Sequence, residues 1–232
     1  MSNSESYSRP VAVTDLDVQA RGTFVSRTYA HLFGAVSAFI LIEIFLFKTG
    51  LAPMIAKALL GVSWLLVLGG FVVISWLASR TAHLAVSKVS QYIALACYVI
   101  AESIIFVPLL YIADKVAPGA ITSAAAVTFL AFAALTAMVF LTGKDFSFLR
   151  GLLVWGGIIA LALIIAGAAF GFHLGTYFSV AMVAFAGAAI LYDTSNILHH
   201  YPEDRYVAAA LELFASVALL LWYVLRLFMS RR

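Results

Sequence analysis

From about residue 30 the chain reads as long apolar runs separated by short polar, glycine or proline breaks. A membrane-spanning helix needs roughly 20 mostly apolar residues. Seven stretches meet that measure: 30–47, 53–78, 90–112, 120–142, 149–171, 176–198 and 206–228. The breaks between them suit turns: "KTGLAP" (48–53), "APG" (117–119), "TGKDFS" (142–147), "FGFHLGT" (170–176) and the most polar one, "HHYPEDR" (199–205). The runs do not alternate as half-buried strands do, and only helices or closed barrels satisfy the backbone in lipid. The pattern predicts an all-α integral membrane protein, a seven-transmembrane helix bundle.

Composition agrees. Of the 232 residues, 64% are hydrophobic and 11% charged, with a mean hydropathy of +1.06. A soluble domain has about 45–50% and about 25%, and the excess is what lipid-facing surface requires. Residues 1–28 are polar and of mixed charge (Glu5, Arg9, Asp15, Asp17, Arg21, Arg27) and lack the apolar core and cleavage site of a secretory signal. They are expected to form a cytoplasmic segment ahead of one transmembrane domain, 29–232, whose first run is an uncleaved anchor. The lone Cys97 excludes an internal disulfide.

The net charge of +3 comes from basic residues spread between the runs, which marks topology rather than a nucleic-acid surface. Arg9, Arg21, Arg27, Arg80, Lys88, Lys144, Arg150 and Arg205 fall on one side, and Lys48, Lys57 and Lys115 on the other. The Lys and Arg excess assigns the first side, with the amino terminus, to the cytoplasm of a cell inner membrane. The basic tail (Arg226, Arg231, Arg232) fits seven crossings poorly; seven are expected nonetheless. Small residues, including Gly167-x-x-x-Gly171 and "AFAGAA" (184–189), allow close helix contact.

Ionisable groups at membrane depth are costly and point to function. Four carboxylates qualify: Glu43, Glu102, Asp193 and Glu212. Glu43 is close enough to the end of its run to snorkel to the surface. Glu102, mid-run in "YVIAESIIFVP", requires a partner, a water-filled cavity or a proton. Asp193 and Glu212 flank the 199–205 break at nearly equal distances, nine residues before Pro202 and ten after it. In an antiparallel pair of helices this puts them at about one depth, where two carboxyls can share a proton and switch with pH. The alternative is that each acid caps a polar pocket or pairs with Arg80, Arg205 or Lys88.

The histidines (His31, His83, His173, His199, His200) show no His-x-x-x-His or Glu-x-x-His spacing within a helix, which argues against a metalloenzyme. His199 and His200 can still tune the local field. "YD" at 192–193 lacks the Gly-x-Gly-Asp partner of an intramembrane aspartyl protease. The last run also lacks the lysine of a retinal protein, and no nucleotide motif is present. The chain is expected not to be an enzyme and to need no cofactor, and nothing in it fixes the oligomeric state; a monomer is compatible.

"LYDTSNILHH" (191–200), "YVAAALELFASVALLLWYVLRLF" (206–228) and "TGKDFSFLRGLL" (142–153) resemble the Bax inhibitor-1, or transmembrane Bax inhibitor motif, family, in its bacterial YccA-like and YetJ-like branches. The resemblance runs from about residue 20 to the end. It implies a seven-helix bundle with the last helix near its centre, acting as a pH-sensitive Ca²⁺ leak channel. It further implies that Asp193 pairs with a second aspartate in the last span, and that a basic residue, Arg80 here, can latch onto Asp193. The chain departs from the pattern at that second aspartate, since "LFASVALLLWY" (213–223) has Ser216 in its place and Leu219 where an asparagine belongs. Either Glu212, one turn away, supplies the missing carboxylate and joins Asp193 in transient Ca²⁺ contact, or Ser216 only hydrogen-bonds Asp193. Some bacterial relatives are associated with an FtsH-type membrane protease, so the second expectation is a non-conducting regulator of such a protease or of a stress response, with residues 1–28 as the handle.

Overall fold

The apolar runs fold as helices. In the computed structural model, which describes residues 12–85, 87–172 and 174–230, a 3-10 turn (Val13–Asp15) is followed by α1 (Val18–Lys48), α2 (Leu51–Leu60), α3 (Trp64–Leu84), α4 (Lys88–Val116), α5 (Ala120–Thr142), α6 (Leu149–Phe170), α7 (Gly175–His199) and α8 (Tyr206–Ser230). All but α2 are long and apolar enough to cross a membrane, which makes seven candidate spans. Among the described residues there is no strand, only an isolated bridge between Ala12 and Pro202. Glu5, Arg9, His173, Arg231 and Arg232 lie outside the described residues.

The second predicted span is corrected. The run 53–78 is two helices, since the chain leaves helix at Gly61–Ser63 and restarts at Trp64. Apolar count does not register this break, but glycine and serine at 61 and 63 favour it. α2 is a short apolar helix packed on α1 and α4, and the crossing is made by α3, which runs on to Leu84. α1 begins well before the apolar run, at Val18, where the Asp17 side chain accepts the Ala20 N–H at 2.8 Å as an N-cap. Its buried face, Phe24, Thr28, Leu32, Ala35, Phe39, Glu43 and Leu46, recurs every three or four residues along the whole helix.

The last helix is central, as the resemblance implied. α8 packs against α1, α3, α4, α5 and α7, and 67% of its most apolar 18-residue window is buried, against 11% for α3 and α6. Val207 to Leu211 are five consecutive buried residues, so the helix is enclosed on every side. Three of them are alanines, which permit close approach without a large side chain between the axes. Edge-to-face aromatic pairs fix its neighbours, with Phe106 5.0 Å from Trp222 and 5.1 Å from Phe39 between ring centroids.

Candidate functional site

Packing α7 antiparallel to α8 determines which polar side chains meet. Ser216 Oγ on α8 donates to Asp193 Oδ2 on α7 at 2.5 Å. Asp193 is therefore level with Ser216, and Glu212 sits one helical turn nearer the 200–205 connection. That offset corrects the equal-depth estimate by one turn, because the irregular connection between His199 and Tyr206 is not symmetric about Pro202. Glu212 finds its partners on α3: Ser79 Oγ donates to its Oε1 at 2.5 Å, and His83 Nδ1 lies 3.7 Å from the same oxygen. The His83 Nδ1 also contacts the Ser79 carbonyl at 2.9 Å; a carbonyl only accepts, so this nitrogen carries hydrogen. Its Nε2 faces the Tyr201 hydroxyl at 3.3 Å.

Both carboxylates line one polar cavity of about 560 Å³ at the end of the bundle that carries the 142–148 and 200–205 connections. His83, His200, Arg150, Tyr192 and Asn196 also line it. The lining cation is Arg150 on α6, not Arg80. Arg80 turns aside, its guanidinium carbon 5.1 Å from the centroid of the Trp76 ring. Among the described residues Arg80 has no ion pair with Asp193, and the side chains of α3 that reach a carboxylate are Ser79 and His83. Arg205 and Lys88 are engaged elsewhere: Arg205 Nη1 donates to the Ala85 carbonyl at 2.5 Å, and Lys88 donates to the Asp204 carbonyl.

One rim of the cavity is a strap that sequence reading missed. Gly143 ends α5 in the left-handed conformation (φ 59°), which turns the chain into Lys144–Ser147. Asp145 Oδ1 then accepts the Ser147 N–H at 2.8 Å, closing an Asx turn, and the Ser195 hydroxyl at 3.2 Å. Phe146 N–H donates to the same Ser195 oxygen at 2.8 Å, and His200 Nε2 lies 2.9 Å from Asp145 Oδ2. The signal was present as Asp-x-Ser within the quoted "KDFS".

The Ser147 N–H, followed by His200, holds the Asp145 carboxyl down at about 2. A depressed carboxylate contributes stability that is complete above its ordinary value of 3.8 and is lost as pH falls through about 2. The Asp145 carboxylate is therefore expected to keep accepting the Ser147 N–H and the Ser195 hydroxyl from pH 8 to pH 4. Hydrogen exchange at the Phe146 and Ser147 amides, corrected for intrinsic rate, should become roughly fivefold faster in Asp145→Ala.

Glu102 is not brought into the cavity. It is buried on α4 and accepts the Tyr98 hydroxyl one turn earlier at 3.0 Å. The Tyr98 ring lies against Phe71 of α3 and Phe214 of α8, with centroids 6.1 and 6.0 Å away. Glu43 does not snorkel. It is 7% exposed, and both carboxyl oxygens are buried without a hydrogen-bond partner among the described residues. The buried stripe of α1 carries it inward, whatever its distance from the helix end. Unpartnered burial of such a group costs about 1–3 kcal/mol. Glu43→Met is accordingly expected to raise the thermal midpoint in detergent, and a fall would show that Glu43 has a stabilising partner in the bilayer protein.

Fold and site together define a polytopic helical membrane protein with a carboxylate-bearing cavity at one end of its bundle. The sequence matches the family described as "Inhibitor of apoptosis-promoting Bax1" over residues 21–232, and the chain belongs to this Bax inhibitor-1 family. It is also 38% identical over 109 residues to the uncharacterized protein PA2604 of Pseudomonas aeruginosa, a match covering 47% of this chain and 49% of that protein. The chain thus matches about half the length of that curated relative.

Proposed function

We propose that the chain is a pH-responsive leak pathway for cations, Ca²⁺ foremost, in a bacterial inner membrane, with the amino-terminal side cytoplasmic. The observation that carries the reading is the shared cavity: Asp193 and Glu212 face one polar space, each tied by a serine hydroxyl to a different neighbouring helix. Carboxylate oxygens are hard ligands suited to Ca²⁺, and acidic side chains favour cations in pores. Ca²⁺ is the cargo of this pathway, met in passing by the Asp193 and Glu212 carboxylates.

The serine bonds supply the gate. An ionised Asp193 accepts a charge-assisted bond from Ser216, which clamps α7 to the central α8. Protonation turns it into an ordinary hydrogen bond of about half the strength, and the α7–α8 seam loosens. Acid is therefore expected to open the pathway. Of the two sequence alternatives, this assigns the primary switch to Asp193–Ser216 and leaves Glu212–Ser79 as a second tie between α8 and α3. The regulator reading, with residues 1–28 as a handle, receives less support. Val13 is fully buried and its N–H donates to the Tyr201 carbonyl at 2.9 Å, so part of that segment is built into the rim of the bundle.

The test is reconstitution of the full chain into liposomes loaded with a calcium reporter, followed from pH 8 to pH 5. Flux above that of empty liposomes, rising with acid, is the expected result. Flux indistinguishable from empty liposomes at every pH would overturn the proposal. Glu212→Gln in the same assay is expected to change the amplitude with less effect on the midpoint than substitutions at Asp193.

A further inference from the structure

On α1, Ala30, Gly34, Ala38 and Ile42 recur every four residues and so share one face. Three of the four are small. Where this face meets α4 the helices do not fill the space between them, leaving an apolar furrow of about 490 Å³ whose other wall includes Ala96, Val99 and Ile100. Gly34 opens directly onto it, since a Cβ built there meets nothing within 4 Å. From Ala30 to Ile42 the furrow runs about 18 Å at 1.5 Å per residue. That is about half of a hydrocarbon core of about 30 Å, or the depth of one leaflet.

The two ends differ in chemistry. At the Ala30 end stand Arg27, Lys88 and the rings of His31, Tyr92 and Tyr206. Two cations approach the Tyr206 ring, with the Arg27 guanidinium carbon 5.6 Å and Lys88 Nζ 4.3 Å from its centroid. His31 Nε2 faces the Tyr92 hydroxyl at 3.1 Å, and the Tyr92 and Tyr206 hydroxyls are 3.4 Å apart. Among the described residues no carboxylate is within ion-pair distance of Arg27 or Lys88; the nearby Asp204 carboxylate is taken by Arg205 Nε at 3.3 Å. At the other end Ile42 and Ile100 are apolar. Cations that pair with no carboxylate among the described residues (Lys88 donates to the Asp204 carbonyl) and hydroxyls stand above a one-leaflet apolar furrow, a pairing that complements an anionic headgroup on an acyl chain.

We propose that the α1–α4 furrow binds an anionic phospholipid, with one acyl chain along Ala30–Ile42 and the phosphate at the end that carries Arg27 and Lys88. This site is separate from the Asp193 cavity and stands whether or not the chain conducts ions. The bound lipid bridges α1, α4 and the start of α8, three elements that meet at its headgroup.

Native mass spectrometry of the full chain, released from detergent containing equal amounts of dioleoyl phosphatidylglycerol and dioleoyl phosphatidylcholine, tests this. Wild type is expected to retain the anionic lipid roughly tenfold over the zwitterionic one, and Arg27→Gln to lower that preference about fivefold. Gly34→Leu, which fills the furrow, is expected to reduce retention of both lipids. Lys88→Gln gives a second reading of the headgroup site, and helical content by circular dichroism with a single gel-filtration peak verifies that each variant folds. Equal retention of the two lipids by wild type, an unchanged preference in both headgroup variants, or full retention by Gly34→Leu would overturn the proposal. So would competition by the deacylated headgroup, glycerophosphoglycerol, at the lipid's own concentration, because that result marks a free-phosphate site with no role for the chain.

Discussion

Asp193→Asn is expected to raise ion flux at pH 8 about tenfold and to flatten its pH dependence between pH 8 and pH 5. Asparagine keeps the size and a carbonyl acceptor for the Ser216 hydroxyl but removes the charge. What is lost is the difference between a charge-assisted and a neutral hydrogen bond, about 1–1.5 kcal/mol, which corresponds to about a factor of ten. Ser216 Oγ lies 2.5 Å from Asp193 Oδ2, so the variant resembles the protonated wild type at every pH. Ser216→Ala should move flux in the same direction, because it removes the clamp from the other side. Calcium-reporting liposomes measure both variants against wild type. If Asp193→Asn keeps the wild-type profile, the gate lies elsewhere and the proposed role of the α7–α8 seam fails.

Ser216→Asp is the complementary experiment and has the second large expected effect. It places a second carboxyl at the position where the resemblance implies an aspartate, within reach of Asp193. Two carboxyls that close cannot both ionise cheaply, so the pair holds one proton to higher pH than a lone acid does. That shared proton makes an O–H···O⁻ clamp of the same charge-assisted kind, so acid opening then needs the second proton and the midpoint of the flux curve should be displaced downward by roughly 1–2 units. The shared proton also makes the response a property of the pair, so the curve should broaden or split into two steps. An unchanged midpoint would mean that the inserted carboxyl does not face Asp193, against the contact Ser216 makes.

The sequence made the fold legible because membrane burial writes itself as length: seven runs of sufficient apolar length became seven long helices. Apolar length alone could not show where a run breaks. The interruption at Gly61–Ser63 costs little in hydropathy, so α2 and α3 read as one span. Depth along a helix was legible to within a turn, and the turn mattered. Counting outward from Pro202 matched Asp193 with Glu212, whereas the connection between His199 and Tyr206 slides the pair to Asp193 and Ser216. Rotation was the least legible quantity. Arg80 and His83 are three residues apart, yet Arg80 lies on Trp76 and His83 lies 3.7 Å from Glu212. Glu43 could have been placed by rotation, because it continues the stripe Phe24–Thr28–Leu32–Ala35–Phe39 that turns inward. The Asp145 strap depended on a contact between distant segments, which no local spacing encodes.

The central position of α8 also has a bearing on assembly. The helix that α1, α3, α4, α5 and α7 all touch is the last of the eight to emerge from the ribosome. Until it arrives, the inward faces of those five helices have no common partner, and Asp193 waits in the bilayer without the hydroxyl that caps it. The earlier helices already pack on one another, α1, α2 and α3 against α4, and α5 and α6 against α7, and α8 fills the space that they share. Of the eight described helices, the one that completes the shared core is thus the last to be made.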